Sequence, residues 1–205
     1  MTETLAFVQA RMSSQRFPGK VLAPFRGEPV VRHVVRAVAD VVGEQSVIVA
    51  TSTASSDDPL VAYLSSLGVA TFRGPLDDVF ERFRLCLRDF PCEWILRISA
   101  DSPLLDRELL RRVVDAAAPG VDLVSTIAVR TFPHGHSAEL IRSDTLLALD
   151  PGELTSDDRE HVTPFFYREA HRFRILTIES ESPERAGESL VVDTIEDLRR
   201  LEGRA

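Results

Sequence analysis

The first group of residues suited to chemistry is a loop that carries three cations. Arg11, Arg16 and Lys20 lie within residues 9–20, which follow the apolar run at residues 5–8. Guanidinium and ammonium groups bind phosphate oxygens, and the hydroxyls and backbone amides of such a loop add hydrogen bonds. A solvent-exposed basic loop is the alternative. The position after an apolar run favours phosphate binding, because open α/β sheets bind ligands at the carboxyl ends of their strands.

This loop differs from the Walker A motif, which is the common phosphate-binding loop of nucleotide-hydrolysing enzymes. That motif would place a glycine five residues before Gly19 and a serine or threonine after the lysine. Ser14 stands at the first position and Val21 at the second. The loop is therefore a candidate triphosphate site of another kind.

Two aspartates follow later apolar runs. Asp101 comes after the run at residues 94–98, and Asp193 comes after the run at residues 190–192. A carboxylate at the end of a strand can bind a divalent cation while water and phosphate complete the coordination shell, an arrangement that Mg²⁺ prefers. Each segment could instead only cap the helix that follows it. Together with the cationic loop, the two aspartates could hold a metal–triphosphate complex from both sides.

Alternation of apolar runs with helical periods predicts the elements that position these loops. Strands are predicted at residues 5–8, 47–50, 69–72, 94–98, 123–129, 173–178 and 190–192. Helices are predicted at residues 29–42, 57–67, 77–90, 107–117 and 161–170, with a last one from residue 195. This order is typical of an α/β protein with a largely parallel sheet. Without repeats or a linker, residues 1–205 are expected to form one domain.

Composition limits the classes of function. The formal charge is 24 − 32 = −8, which argues against a protein that coats nucleic acid, since that task needs a basic face. Two cysteines, Cys86 and Cys92, are too few for a disulfide framework or a zinc site. The N-terminus has no signal-peptide pattern, and no apolar run reaches the roughly 20 residues that span a bilayer. We therefore expect a cytoplasmic protein with neither a membrane nor a nucleic acid as partner.

Residues 9–22 closely resemble the opening motif of the cytidylyltransferase superfamily. The resemblance continues, in the expected order, at residues 72–79, 97–106, 159–164 and 192–198. The branch that the chain most resembles is the spore coat polysaccharide biosynthesis protein F group. Relatives of that group include the enzymes that make CMP-activated sialic acid and CMP-activated keto-deoxy-octulosonate.

The resemblance implies a fold and an activity. The fold is a Rossmann-like nucleotide-diphospho-sugar transferase fold, with a mixed, mostly parallel sheet flanked by helices, usually in a homodimer. The activity is Mg²⁺-dependent transfer of CMP from CTP to a small acceptor with release of pyrophosphate. The acceptor could be an acidic sugar, another polysaccharide precursor or a phosphonate, and the sequence does not select among them.

The resemblance also implies roles for particular residues. The catalytic residues would be Arg11, Lys20, Asp101 and Asp193, and the two aspartates would be the Mg²⁺ ligands. The nucleotide-binding set would be Gln9, Ala10, Arg11, Ser13, Ser14, Arg16, Lys20, Arg73 and Gly74.

A loop before residue 140 corresponds to the acceptor region of the relatives. Glu139 matches a glutamate of their pattern, whereas His134 and His136 are particular to this chain. The two histidines could ligate a metal if the segment is extended, with acceptor contact or plain loop residues as alternatives. His161 could act as an acid or base, contact the acceptor, or be structural.

Two hypotheses compete with CMP transfer. One keeps the fold but uses another nucleoside triphosphate, as uridylyl- and guanylyltransferases do. The other is a catalytically silent nucleotide-binding or scaffold protein. The joint presence of Arg11, Lys20, Asp101 and Asp193 speaks against the silent protein, because a degenerate site would be expected to lose at least one of them.

Overall fold

The computed structural model of the chain describes residues 3–204. Within them, seven strands form one sheet: β1 Thr4–Gln9, β2 Val47–Ser52, β3 Ala70–Gly74, β4 Trp94–Ser99, β5 Leu123–Ser125, β6 Glu139–Arg142 and β7 Ile175–Thr177. Their order across the sheet is β3-β2-β1-β4-β6-β5-β7. Only β6 runs antiparallel to its neighbours, β4 and β5. The predicted mixed, mostly parallel sheet is confirmed.

Helices cover both faces of this sheet. Within the described range they are α1 Val30–Val42, α2 Asp58–Ser66, α3 Val79–Asp89, α4 Arg107–Asp115, α5 Ser143–Ala148, α6 Ser156–His161, α7 Pro164–Arg168 and α8 Ile195–Glu202. Alternate residues of a strand point to opposite faces, so β1 contributes to two cores. Ala6 and Val8 pack in the core that contains residues of α1, α2 and α4. Leu5 and Phe7 pack in the core that contains residues of α3, α5 and α7.

The register of the central strands brings the candidate loops together. Gln9, the last residue of β1, pairs with Ser99 at the end of β4 and with Ala50 in β2. The loop after β1 and the loop after β4 therefore leave the sheet side by side. Across residues 3–204, no helix is both long and apolar enough to cross a membrane.

The predicted strand at residues 123–129 is too long. β5 ends at Ser125, whose hydroxyl oxygen accepts hydrogen bonds from the backbone N–H groups of Ile127 (3.0 Å) and Ala128 (3.1 Å). Such a side-chain-to-backbone turn competes with the strand ladder and ends it. Two elements that follow, β6 and α5, were not predicted.

The single helix predicted at residues 161–170 is wrong. Two short helices, α6 and α7, stand there, and the chain turns sharply between them at Val162, which has a φ of 70°. Pro164 stands in the first turn of α7, where its missing N–H costs no helical hydrogen bond. The result is a corner at which His161 ends α6.

The strand predicted at residues 190–192 is also wrong, because this segment lies outside the seven-stranded sheet. The N–H of Leu190 donates to the His134 carbonyl (2.7 Å), and the N–H of Val192 donates to the Asp101 carbonyl (2.8 Å). The second bond sets Asp193 beside Asp101. The segment thus reaches the predicted place by hydrogen bonds to two loops rather than by joining the sheet.

A fully buried carboxylate, Asp57, joins the loop after β2 to the loop after β1. One of its oxygens accepts from the Met12 N–H (2.7 Å), and the other accepts from the Thr51 hydroxyl (2.9 Å) and from the N–H (3.0 Å) and hydroxyl of Ser52. Burial alone would raise the pKa of Asp57, but the bonds from Ser52, Met12 and Thr51 outweigh it and lower the pKa below its ordinary value of 3.8. The ionised carboxylate therefore stabilises the start of the cationic loop.

We expect Asp57→Asn to lower the free energy of unfolding by about 1.5–3 kcal/mol at pH 7, because hydrogen bonds to a charged acceptor are lost. The depressed pKa means that this contribution is present above pH 3.8 and disappears as the pH falls through the lower folded-state value. Urea unfolding at several pH values measures both effects.

The matched control is Asp58→Asn. Asp58 is the adjacent carboxylate, and its side chain is 59% exposed in an ion pair with Arg73. Its loss should cost less than about 1 kcal/mol, since exposed ion pairs contribute little. Equal losses in the two variants would contradict the positioning role of Asp57.

Candidate active site

A cavity of about 570 Å³ opens at the carboxyl ends of β1 and β4. Nine residues of the predicted site line it: Gln9, Ala10, Arg11, Ser14, Arg16, Lys20, Asp101, His161 and Asp193. They come from the loop after β1, the end of β4, the end of α6 and the segment before α8. The structure thus brings together most residues that the sequence singled out.

The centre of this cavity is an ion cluster around Lys20. Its Nζ lies 2.7 Å from Oδ2 of Asp101 and 2.9 Å from Oδ1 of Asp193. Arg16 contacts the other oxygen of Asp193 at 2.9 Å. Burial alone would lower the pKa of Lys20, but the charges of Asp101 and Asp193 and its hydrogen bonds to them outweigh this effect and raise it. The ammonium is therefore protonated at neutral pH.

A tight turn presents Lys20 to the two aspartates. Gly19 has a φ of 75°, a left-handed conformation that glycine adopts without steric cost, and its N–H donates to the Met12 carbonyl at 2.8 Å. Lys20 then begins the short 3₁₀ turn Lys20–Leu22. The loop closes on itself at Met12, the residue whose N–H is bound by Asp57.

The third cation of the loop, Arg11, has a separate partner. Its guanidinium lies 3.1 Å from a carboxylate oxygen of Glu160 in α6, with both side chains well exposed. His161, the next residue, is 56% exposed, and its Nε2 lies 3.7 Å from Asp157. This side of the cavity is open and polar.

The two aspartates have the chemistry that a magnesium ion requires. Oxygens of Asp101 and Asp193 converge on one point, the position of the Lys20 Nζ. Carboxylate oxygens suit Mg²⁺, which keeps several waters and needs few protein ligands. Across residues 3–204, this site included, no group of three or more His, Cys, Asp or Glu residues is placed to hold a metal, so Asp101 and Asp193 stand as a pair. The histidine pair His134 and His136 is thus without a third ligand.

Three predicted nucleotide-binding residues lie outside the cavity lining. Ser13 is exposed on the loop. Arg73 donates to the carbonyls of Ser52 (2.8 Å) and Ala54 (2.8 Å), and so braces the loop after β2. Gly74 is packed so closely that an added Cβ would lie 2.9 Å from the Arg82 side chain. In this structure Arg73 and Gly74 support neighbouring segments.

Of the four predicted acceptor residues, only His161 lines the cavity. Glu139 is 1% exposed in β6, where its carboxylate pairs with Arg97 and accepts from the Tyr167 hydroxyl. The His136 ring nitrogen Nε2 lies 3.0 Å from the Leu104 carbonyl. His134 is exposed, and its backbone bonds to the segment at residues 188–190. The antiparallel strand β6, which was not predicted, carries Glu139 into the interior.

Arg82, which was not among the predicted site residues, lines the cavity from α3. It is 1% exposed and donates to the carbonyls of Pro75 (2.9 Å) and Leu76 (2.8 Å), and among the described residues it has no carboxylate within ion-pair distance. Burial, with Arg11 nearby, lowers its pKa to about 10. The sequence does indicate that Arg82 is buried, because it falls on the apolar face of the predicted helix, three residues after Val79. Glu160 and Gln15 also line the cavity and were not singled out.

Gln9 adds an unpaired polar atom at the end of β1. Its side-chain oxygen is buried and has no hydrogen-bond partner within residues 3–204. A buried acceptor without a donor is costly, so such a group is often satisfied by a ligand.

Comparison with known proteins agrees with this geometry. The cytidylyltransferase family model matches residues 5–203. The chain is 29% identical over 208 residues to the spore coat polysaccharide biosynthesis protein SpsF of Bacillus subtilis, covering 98% of this chain and 85% of SpsF.

Solved structures have the same fold. A cytidylyltransferase from Leptospira borgpetersenii superposes with a TM-score of 0.92 at 26% identity, covering 98% of this chain and 86% of that one. A CMP:2-keto-3-deoxy-manno-octonic acid synthetase complexed with CTP superposes with a TM-score of 0.74 at 16% identity, covering 98% and 97%. The match of the family model over almost the whole chain places this protein in the cytidylyltransferase family, and it is a nucleotidyltransferase.

Proposed function

We propose that the protein transfers CMP from CTP to a small acceptor in a Mg²⁺-dependent reaction that releases pyrophosphate. The observation that carries this proposal is the convergence of Lys20, Asp101 and Asp193 in one cavity lined by three arginines. Cations and carboxylates in this arrangement suit a metal–triphosphate complex. We also propose that residues 1–205 form a single domain and that the protein is a homodimer, as the family resemblance implies.

The choice of CTP is supported by likeness to other proteins. Residues 9–22 resemble the opening motif of cytidylyltransferases, and the synthetase of similar fold was solved with CTP. In this chain the base and ribose would lie beside the end of β1, where the unpaired oxygen of Gln9 can accept a hydrogen bond. Arg82, buried and without a carboxylate partner among residues 3–204, would add positive charge at the same wall.

In the proposed reaction an acceptor oxygen attacks the α-phosphorus of CTP. A bond forms between that oxygen and phosphorus, and the bond from phosphorus to the oxygen that bridges the α- and β-phosphates breaks. Lys20, Arg11 and Arg16 would bind the triphosphate and neutralise the charge that develops on the departing pyrophosphate. Asp101 and Asp193 would hold Mg²⁺, which supplies further charge neutralisation when bound. Since no covalent enzyme intermediate is needed, positioning and electrostatics provide the rate enhancement.

The acceptor is proposed to be an acidic sugar or a related small anion. An acceptor that is already ionised needs no general base. His161, on the open side of the cavity, is the one predicted acceptor residue placed to contact such a molecule. Its neighbour Glu160 pairs with Arg11 and would release it to phosphate.

We expect isothermal titration with Mg²⁺ to detect binding of CTP in preference to UTP, GTP and ATP. Asp101→Asn should weaken CTP binding about tenfold or more, because a charged ligand of the metal–nucleotide complex is lost. Asp144→Asn is the matched control, since Asp144 is exposed on α5 and outside the cavity lining. It should leave the affinity unchanged.

Selective binding of another triphosphate would replace CTP in this proposal. A folded protein that binds none of the four would contradict nucleotide transfer and favour a catalytically silent scaffold. Tight binding without pyrophosphate release, across a panel of ulosonic acids, nonulosonic acids and phosphonates, would also favour a silent protein.

His161 and His134, both predicted to contact the acceptor, should differ in their effect on acceptor binding. With an acceptor from that panel, His161→Gln should raise the KM for the acceptor several-fold, because a polar contact at the open side of the cavity is changed. The dissociation constant for CTP should stay the same. His134→Gln, the same change at an exposed residue outside the cavity lining, should alter neither value. A larger effect of His134→Gln would contradict this placement of the acceptor, and pyrophosphate-release kinetics measure it.

A further inference from the structure

The carboxylates that would bind the divalent cation already hold a cation of the chain. Lys20 Nζ contacts Oδ2 of Asp101 and Oδ1 of Asp193 at 2.7 and 2.9 Å. The Lys20 side chain is only 12% exposed, so this contact is largely shielded from water. Arg16 lies on the second oxygen of Asp193, and the Ser102 hydroxyl lies 3.4 Å from the second oxygen of Asp101.

Lys20 and a magnesium ion cannot share this position. Mg²⁺ binds carboxylate oxygens at about 2.0–2.1 Å, which is the space that the ammonium now fills. To admit the metal, Lys20 must leave and give up two charge-assisted hydrogen bonds. Without a new anionic partner, the displaced ammonium would remain close to the dication, and this repulsion opposes metal binding.

The charge balance of the cluster also opposes binding of a metal alone. Two cations, Lys20 and Arg16, face two carboxylates, Asp101 and Asp193, so the cluster is neutral as it stands. A divalent cation alone would leave it with two excess positive charges. A triphosphate carries several negative charges and offers oxygens to both Lys20 and Arg16. Lysine has a flexible four-carbon stem, which lets its ammonium move from carboxylate to phosphate.

We propose that Lys20 is a displaceable internal counter-ion that occupies the divalent-cation position in the nucleotide-free protein and moves to the triphosphate when nucleotide binds. The inference rests on the proposed function and adds an order of binding to it. Nucleotide enters first or together with its metal, and metal alone is excluded. Lys20 would thus oppose binding of the metal alone and become a phosphate ligand when nucleotide binds.

The test is a titration of nucleotide-free protein with Mn²⁺, followed by electron paramagnetic resonance of the free ion. Lys20→Met should bind Mn²⁺ about tenfold or more tightly than the wild type, a size typical of coupling between two ligands. Asp101→Asn added to Lys20→Met should abolish the gain, because it removes one of the two carboxylates. Lys20→Gln, which keeps a polar group, replaces Lys20→Met if circular dichroism finds the latter unfolded.

The matched control is Arg16→Met. Arg16 also contacts Asp193, but its side chain is 69% exposed and it does not lie between the two aspartates. It should change Mn²⁺ affinity less than about threefold, as expected for an exposed charge. An equal gain in Arg16→Met and Lys20→Met would overturn the proposal in favour of a general charge effect. Wild-type protein that binds Mn²⁺ as tightly as Lys20→Met, or Lys20→Gln in its place, would overturn it outright.

These outcomes are separable from failure of the proposed function. If wild-type protein binds CTP but the lysine substitution does not alter Mn²⁺ affinity, only the counter-ion role is wrong. If no triphosphate binds, the proposed function is wrong, whatever the Mn²⁺ titrations give.

Discussion

The contact of one ammonium with two carboxylates determines how this site is built. Lys20, Asp101 and Asp193 come from the loop after β1, the end of β4 and the segment before α8, so they meet only when the sheet is formed. Two features bring them together. The pairing of Gln9 with Ser99 sets the first two loops side by side, and the hydrogen bond from Val192 to Asp101 adds the third segment. The ion cluster therefore forms only in the folded protein.

Local charge pairing explains how an acidic chain can serve a highly charged nucleotide. The formal charge of the chain is −8, yet four cations line the cavity: Arg11, Arg16, Lys20 and Arg82. Each cation of the loop is paired with a carboxylate: Lys20 with two aspartates, Arg16 with Asp193 and Arg11 with Glu160. A triphosphate that arrives with its Mg²⁺ would replace these partners, since phosphate oxygens would bind the cations and the metal would bind the two aspartates. No partly buried charge would then be left unpaired, which would be costly.

Much of this arrangement follows from the sequence, because parallel strands that end in charged loops bring those loops to one edge. Asp193 lies beside Asp101, as predicted, but no strand holds it there. The hydrogen bond from the Val192 N–H to the Asp101 carbonyl does so instead. Glu139 was misplaced because the four-residue antiparallel strand β6 has no clear periodicity and buries it against Arg97. Arg82 stands on the apolar face of its predicted helix, but its burial also depends on Gly74, which leaves room for its side chain, and the sequence does not reveal that long-range contact.

The most direct test of this account is a crystal structure with CTP and Mn²⁺, in which anomalous scattering locates the metal. The account predicts Mn²⁺ between Asp101 and Asp193, and the Lys20 ammonium on a phosphate oxygen away from both carboxylates. Bound CTP with Mn²⁺ elsewhere, or with Lys20 still bridging the two aspartates, would contradict it.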